Sequence, residues 1–209
     1  MGLGASSGAA RSLAHELVAR HREGHRQYHS TDHVAEVLAE ATRLLEFEPE
    51  ADPVAVELAV WFHDAIYDPA AGPGESEAAS ADLAVDRLPA LAEADRDRLA
   101  HEVARLVRLT VDHRVEPADR SGAVLVDADL WVLSAPVERY DRYVADVRAE
   151  YGHVADDAWT AGRSSVLARF LAGIGDLYAA GPDDDRHARR AQATANLRRE
   201  LASLRPLSP

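Results

Sequence analysis

The segment from Val54 to Ile66 is apolar except for Glu57 and the adjacent pair His63-Asp64. A helix that is apolar nearly all the way round belongs inside a domain, not on its surface. Burying the Asp64 carboxylate there without a partner would cost on the order of several kcal/mol. Two kinds of partner offset such a cost, a metal ion or a buried cation. A second histidine segment lies upstream around His33. Downstream, the apolar run Val124 to Leu133 is interrupted only by Asp127 and Asp129. That distribution of imidazole and carboxylate favours the metal.

With 209 residues the chain can bury one good core, so a single domain is expected over 11–205, behind a flexible Gly/Ala/Ser-rich start over 1–10. It carries 23 basic and 36 acidic side chains, a formal charge of -13. No basic stripe offsets this, which argues against a nucleic-acid polymer as partner and leaves a small phosphorylated metabolite possible. There are no cysteines, the start lacks the apolar core of a signal peptide, and no run is long enough to span a bilayer. Together these point to a soluble, cytoplasmic protein with no membrane partner.

The pattern is helical throughout and strand-like alternation is scarce, which predicts an all-α fold. Helices are expected over Arg11 to His21, from the Ser30-Thr31-Asp32 cap to Leu45, and from Pro53 through Ile66. Further helices are expected over Glu75 to Leu88, Arg96 to Leu109, Trp159 to Tyr178 and Arg186 to Leu204. Asp112 to Gly122 reads as a polar loop, and Val124 to Leu133 as a short buried helix ahead of Pro136. The arginines between Arg186 and Arg199 read as the outer face of the last helix, His101 as a solvated helix position, and Tyr140 and Tyr151 as packing residues.

His33, His63, Asp64 and Asp129, taken in order, are candidate ligands for a divalent ion such as Mn, Fe, Co, Ni, Zn or Mg. An incomplete set of protein ligands leaves positions for water and for substrate oxygens. Arg26 is a candidate for bidentate contact with a substrate phosphate. His29 and His113 are further candidates for contacts to substrate or to a second metal, although surface positions would also explain both.

The order His33 … His63-Asp64 … Asp129 resembles the H…HD…D signature of the HD superfamily of metal-dependent phosphohydrolases. Arg26-Gln27-Tyr28-His29-Ser30-Thr31-Asp32-His33-Val34, the Trp61-Phe62-His63-Asp64 core and Val126 to Leu130 carry the likeness. It looks specifically like the small bacterial subgroup described as predicted metal-dependent HD phosphohydrolases. Arg148-Ala149-Glu150-Tyr151 and Ala195-Asn196-Leu197 extend it, so that it covers roughly residues 11 to 205.

The resemblance implies a single HD-type helical bundle with a buried metal held by His33, His63, Asp64 and Asp129. Asp129 is preferred to Asp127 because Ala128-Asp129-Leu130 matches the family's context for the last ligand. Asp127, two residues away, cannot share its helix face. It would cap, pair with an arginine, or orient a histidine.

The implied activity is hydrolysis of a small phosphomonoester or nucleotide by metal-activated water. Asp64 would bridge metal and nucleophile, and Glu77 would serve as acid or base. Some HD nucleotidases carry a glutamate three residues after the HD aspartate, where this chain has Tyr67, so their substrate range does not transfer. Two alternatives use the same residues. One is a dinuclear iron centre for oxygen chemistry, with His29, His113 or Glu77 as added ligands. The other is a silent HD module that binds a nucleotide or a partner protein.

Overall fold

The structure is a computed structural model that describes residues 7–90 and 96–204. Among these residues it is all-helical, with nine α-helices and no strand. They are α1 (Ser7–Arg20), α2 (Thr31–Leu45), α3 (Pro53–Phe62), α4 (Glu75–Arg87), α5 (Arg96–Leu109), α6 (Arg120–Asp129), α7 (Val137–Glu150), α8 (Asp156–Ala172) and α9 (Asp183–Ser203). Part of the expected flexible start, residues 1–6, lies outside the described residues. Residues 7–10 already belong to α1, so the helix begins earlier than expected. No described helix is long and apolar enough to cross a membrane.

Local chemistry sets the elements that matter most. Ser30 opens α2 by accepting from the Asp32 N–H, and Val34, Val37, Ala41 and Leu44 form its buried stripe. Asp52 caps α3 by accepting from Val54 and Ala55 N–H, with Pro53 in the first turn. Ala55, Val56, Ala59, Val60 and Phe62 are then buried, which makes α3 the central rod of the first core. It packs against α2, α4, α5 and α6.

The expected continuation of α3 to Ile66 is not what forms. The helix stops at Phe62 and His63-Asp64 sit in the turn that follows. Competing hydrogen bonds explain the stop. Arg26 donates to the carbonyls of Asp64 (2.7 Å) and Ala65 (3.2 Å). Ser80 accepts from Ile66 N–H (2.9 Å) and donates to Ile66 C=O (3.1 Å). The backbone groups that would extend the helix are already satisfied.

A second core gathers Val126, Leu130, Leu133, Tyr140, Leu167, Tyr178 and Leu197, and it meets the first around Leu109 and Val115. The apolar run 124–133 is divided between α6 and a 3-10 turn over Leu130–Ser134. This leaves Asp129 at the junction. Helix α8 starts earlier and ends earlier than expected, at Gly173, after which Tyr178 adopts a left-handed backbone with φ 57°. The arginines of α9 are not merely an outer face. Arg186 donates to Ala179 C=O and Arg190 to Leu177 and Tyr178 C=O, so they clamp the returning loop. Tyr140 is fully buried, with its hydroxyl on Glu200, and His101 is exposed.

Buried Asn196 ties α9 to the 3-10 turn by donating to Leu133 C=O (3.0 Å) and Ala135 C=O (2.9 Å). Asn196→Leu keeps the branched shape but strands two buried carbonyls. Urea unfolding should show a loss of about 2 kcal/mol with the helical circular dichroism retained.

Candidate metal centre

Three separate segments bring four donors to one spot. His33 lies in the first turn of α2, His63 and Asp64 follow α3, and Asp129 ends α6. The His33 and His63 Nε2 atoms face each other at 3.1 Å. Asp64 Oδ2 is 3.0 Å from His63 Nε2 and 3.5 Å from His33 Nε2. Asp129 Oδ1 is 3.4 Å from His33 Nε2 and 3.5 Å from His63 Nε2. His33, His63 and Asp64 form a group able to hold a metal ion, each offering a ligand atom within 4.8 Å of the others. Asp129 approaches both histidines of that group.

The donor set fits a divalent cation. Held neutral, as metal ligands are, the two imidazoles would point lone pairs at one another at this separation, and the two carboxylates gathered around them repel. A cation between them relieves both. The His63 tautomer suits that role, because Nδ1 donates to Val60 C=O at 2.7 Å and leaves the Nε2 lone pair toward the centre.

Burial opposes charge at all four groups. Even so, Asp129 and Asp64 hold the His33 imidazole above its ordinary pKa, and the same carboxylates hold His63 well above it. The neighbouring histidines hold Asp64 and Asp129 well below the ordinary carboxylate range. The site therefore keeps its carboxylates charged despite desolvation.

Asp127 lies elsewhere. Its buried carboxylate accepts from the N–H of Ala180 at 2.6 Å and also from Tyr178 and Ala179, fixing the loop before α9. Burial nevertheless pushes that carboxyl up to about 6.

Arg26 departs from its expected role. Its side chain is fully buried, with donors engaged by Glu23, the His29 carbonyl and the carbonyls of Asp64 and Ala65. It positions the His63-Asp64 turn and has no face toward a substrate phosphate.

His29 and His113 both reach the site. His113, at φ 59°, places Nε2 3.2 Å from Asp129 Oδ2 and sets its ring edge against Phe170. His29 borders the same cavity as Asp64, with Nδ1 2.6 Å from Glu150 Oε2. Glu77, in the first turn of α4, lines that cavity too.

Glu150 is the residue whose role sequence reasoning missed. It was noted only as part of Arg148-Ala149-Glu150-Tyr151. Its Oε1 accepts from the N–H of Gln27 (2.7 Å), Tyr28 (2.8 Å) and His29 (2.9 Å). Its Oε2 takes His29 Nδ1 and the Tyr67 hydroxyl at 2.8 Å. The acceptor pattern links segments 121 to 123 residues apart in sequence, so no local signal announces it.

The cavity that Asp64 and Asp129 border measures about 520 Å³, within the usual range for a small-molecule site. Comparison with protein-family models, with curated proteins and with solved structures gave no match for this chain.

Burial raises the Glu150 carboxyl, but His29 and the surrounding N–H groups prevail and bring it from 4.5 to about 2. A depressed folded pKa stabilises fully above the unfolded value and is lost as pH falls through the folded one. Wild-type stability should fall by roughly 2 kcal/mol more than that of Glu150→Gln between about pH 7 and about pH 3. Urea unfolding at a series of pH values checks this, and parallel acid limbs would contradict it.

Proposed function

We propose that this protein is an HD-type metal-dependent phosphohydrolase acting on a small phosphorylated substrate, a phosphomonoester or a nucleotide. The observation that carries the reading is the convergence of His33 and His63 Nε2 at 3.1 Å, with Asp64 and Asp129 beside them, these two carboxylates bordering a cavity. His33, His63, Asp64 and Asp129 would hold the ion. A divalent metal bound there polarises a phosphoryl oxygen and makes water a usable nucleophile near neutral pH.

The chain's own residues do the rest. Asp64, which borders the cavity, orients the attacking water through its carboxylate. Glu77 faces the same space and takes a proton at its carboxylate. His29, fixed at Nδ1 by Glu150, presents Nε2 to the ester oxygen. Arg26 holds the carbonyl of Asp64 itself, so the turn cannot drift. The excess of acidic side chains, 36 against 23 basic, suits a small substrate better than a polyanion.

A second reading has support in the same geometry. His29, His113 and Glu77 border the cavity together with Asp64 and Asp129, and such a set could complete a dinuclear iron centre for oxygen chemistry.

Elemental analysis of protein purified without chelator or a His-tag column should find about one transition metal per chain, lost in Asp64→Ala. Phosphate release from a phosphomonoester panel should fall on the order of a hundredfold or more in His63→Ala and Asp64→Ala. Turnover that survives both substitutions overturns the hydrolase reading, and two irons per chain select the oxygen chemistry.

A further inference from the structure

The cavity that Asp64 and Asp129 border has two unlike halves. Its floor is polar, with Asp64, Asp129, His29, His113 and Glu77. Its far wall comes from α8, which contributes Trp159, Gly162, Val166 and Phe170 at helical spacing, so one face of that helix looks into the space. Leu130 and Leu133 of the 3-10 turn and Val147 of α7 close the wall from the other side.

Two polar side chains in this outer half, Thr110 and Arg163, are engaged within the protein. Thr110 Oγ1 donates to Val107 C=O at 2.8 Å. Arg163 donates to Glu200 through Nε (2.7 Å) and to the Tyr143 hydroxyl (3.1 Å). Arg169, at the mouth, lies over the Phe170 ring at 5.6 Å. One cation at the rim is not the cluster that a polyphosphate requires.

A nucleoside's sugar hydroxyls and base edge would lose water here and find little to replace it, which is unfavourable. An alkyl or aryl group meets the opposite situation, since its burial on this wall is favourable in proportion to area. On the phosphohydrolase reading, we infer that the substrate is a phosphomonoester of an apolar alcohol, its phosphate at the four-donor floor and its alkyl or aryl group along α8.

Gly162 sits at the centre of this wall and sets its depth. A Cβ at that position meets no atom within 4 Å, so a methyl group there occupies open space. Replacing a mid-helix glycine also raises helix propensity. The position can therefore be filled without a clash.

The test measures binding of methyl-, butyl- and hexylphosphonate to metal-loaded protein by calorimetry, with adenosine 5′-monophosphate beside them. The carbon–phosphorus bond of the alkylphosphonates resists hydrolysis, so their affinity is read independently of turnover, and phosphate release is followed alongside the nucleotide titration. Affinity should rise roughly two- to fourfold per methylene, giving hexyl a lead of about thirtyfold or more over methyl. Adenosine monophosphate should bind no better than the butyl compound.

In Gly162→Phe the hexyl-to-methyl ratio should collapse to within about twofold, while Gly162→Ala retains most of it. A flat series in the unmodified protein, or tightest binding by the nucleotide, overturns the assignment. Phosphate release from the matching alkyl phosphates separates the two claims. Turnover without chain-length dependence defeats the apolar wall alone, and chain-length-dependent binding with no phosphate released defeats the hydrolase reading alone.

Discussion

Two carboxylates and two imidazoles share one poorly hydrated spot, and much of the fold serves to keep them there. Bringing Asp64 and Asp129 against His33 and His63 removes water from four groups that each prefer it. Such an arrangement persists only where surrounding structure over-determines it. Here the three contributing segments are each fixed by a neighbour. Ser30 caps α2, Arg26 grips the turn after α3, and Asp127 on α6 is locked to the loop before α9.

Arg26 and Glu150 solve related problems with opposite charges. Arg26 is buried and faces carbonyl oxygens, which need donors once the helix ends at Phe62. Glu150 is buried and faces N–H groups of the segment leading into α2, which need acceptors before that helix begins. Each satisfies backbone groups that no regular element claims. Both act on the chain beside a candidate ligand, Glu150 on the segment leading into the helix that carries His33 and Arg26 on the turn that carries His63-Asp64. Placement of donors to within a fraction of an ångström is what a metal site demands.

The helices and their buried faces were legible because 3.6-residue periodicity is a local property. The span of α5 and the buried Val124–Leu133 run were both readable in this way. Proximity of His33, His63, Asp64 and Asp129 was legible only as an ordered set of polar interruptions in apolar runs. What escaped was decided by partners distant in sequence. The end of α3 at Phe62 depends on Arg26 and Ser80, the inward set of the α9 arginines depends on the loop 177–180, and the placement of Glu150 depends on residues 27–29. Asp127 and Asp129 look alike in sequence. Two residues of helical rotation send one to a loop and the other to the histidines.

The contrast between floor and wall bears on chemistry as well as on recognition. Charges on the floor interact more strongly when the space above them excludes water, because the effective dielectric falls. An apolar group laid along Val166 and Phe170 would complete that exclusion, closing the open side of the cavity with the substrate's own surface. His113 links the two halves, with Nε2 on Asp129 and its ring edge against Phe170. Occupancy of the wall and orientation of a floor carboxylate are therefore connected through a single side chain held in a left-handed backbone conformation. A substrate too small to reach the wall leaves the floor hydrated and its electrostatics weaker. On the proposed phosphohydrolase reading, selection for an apolar group and activation of the phosphate would be one physical effect.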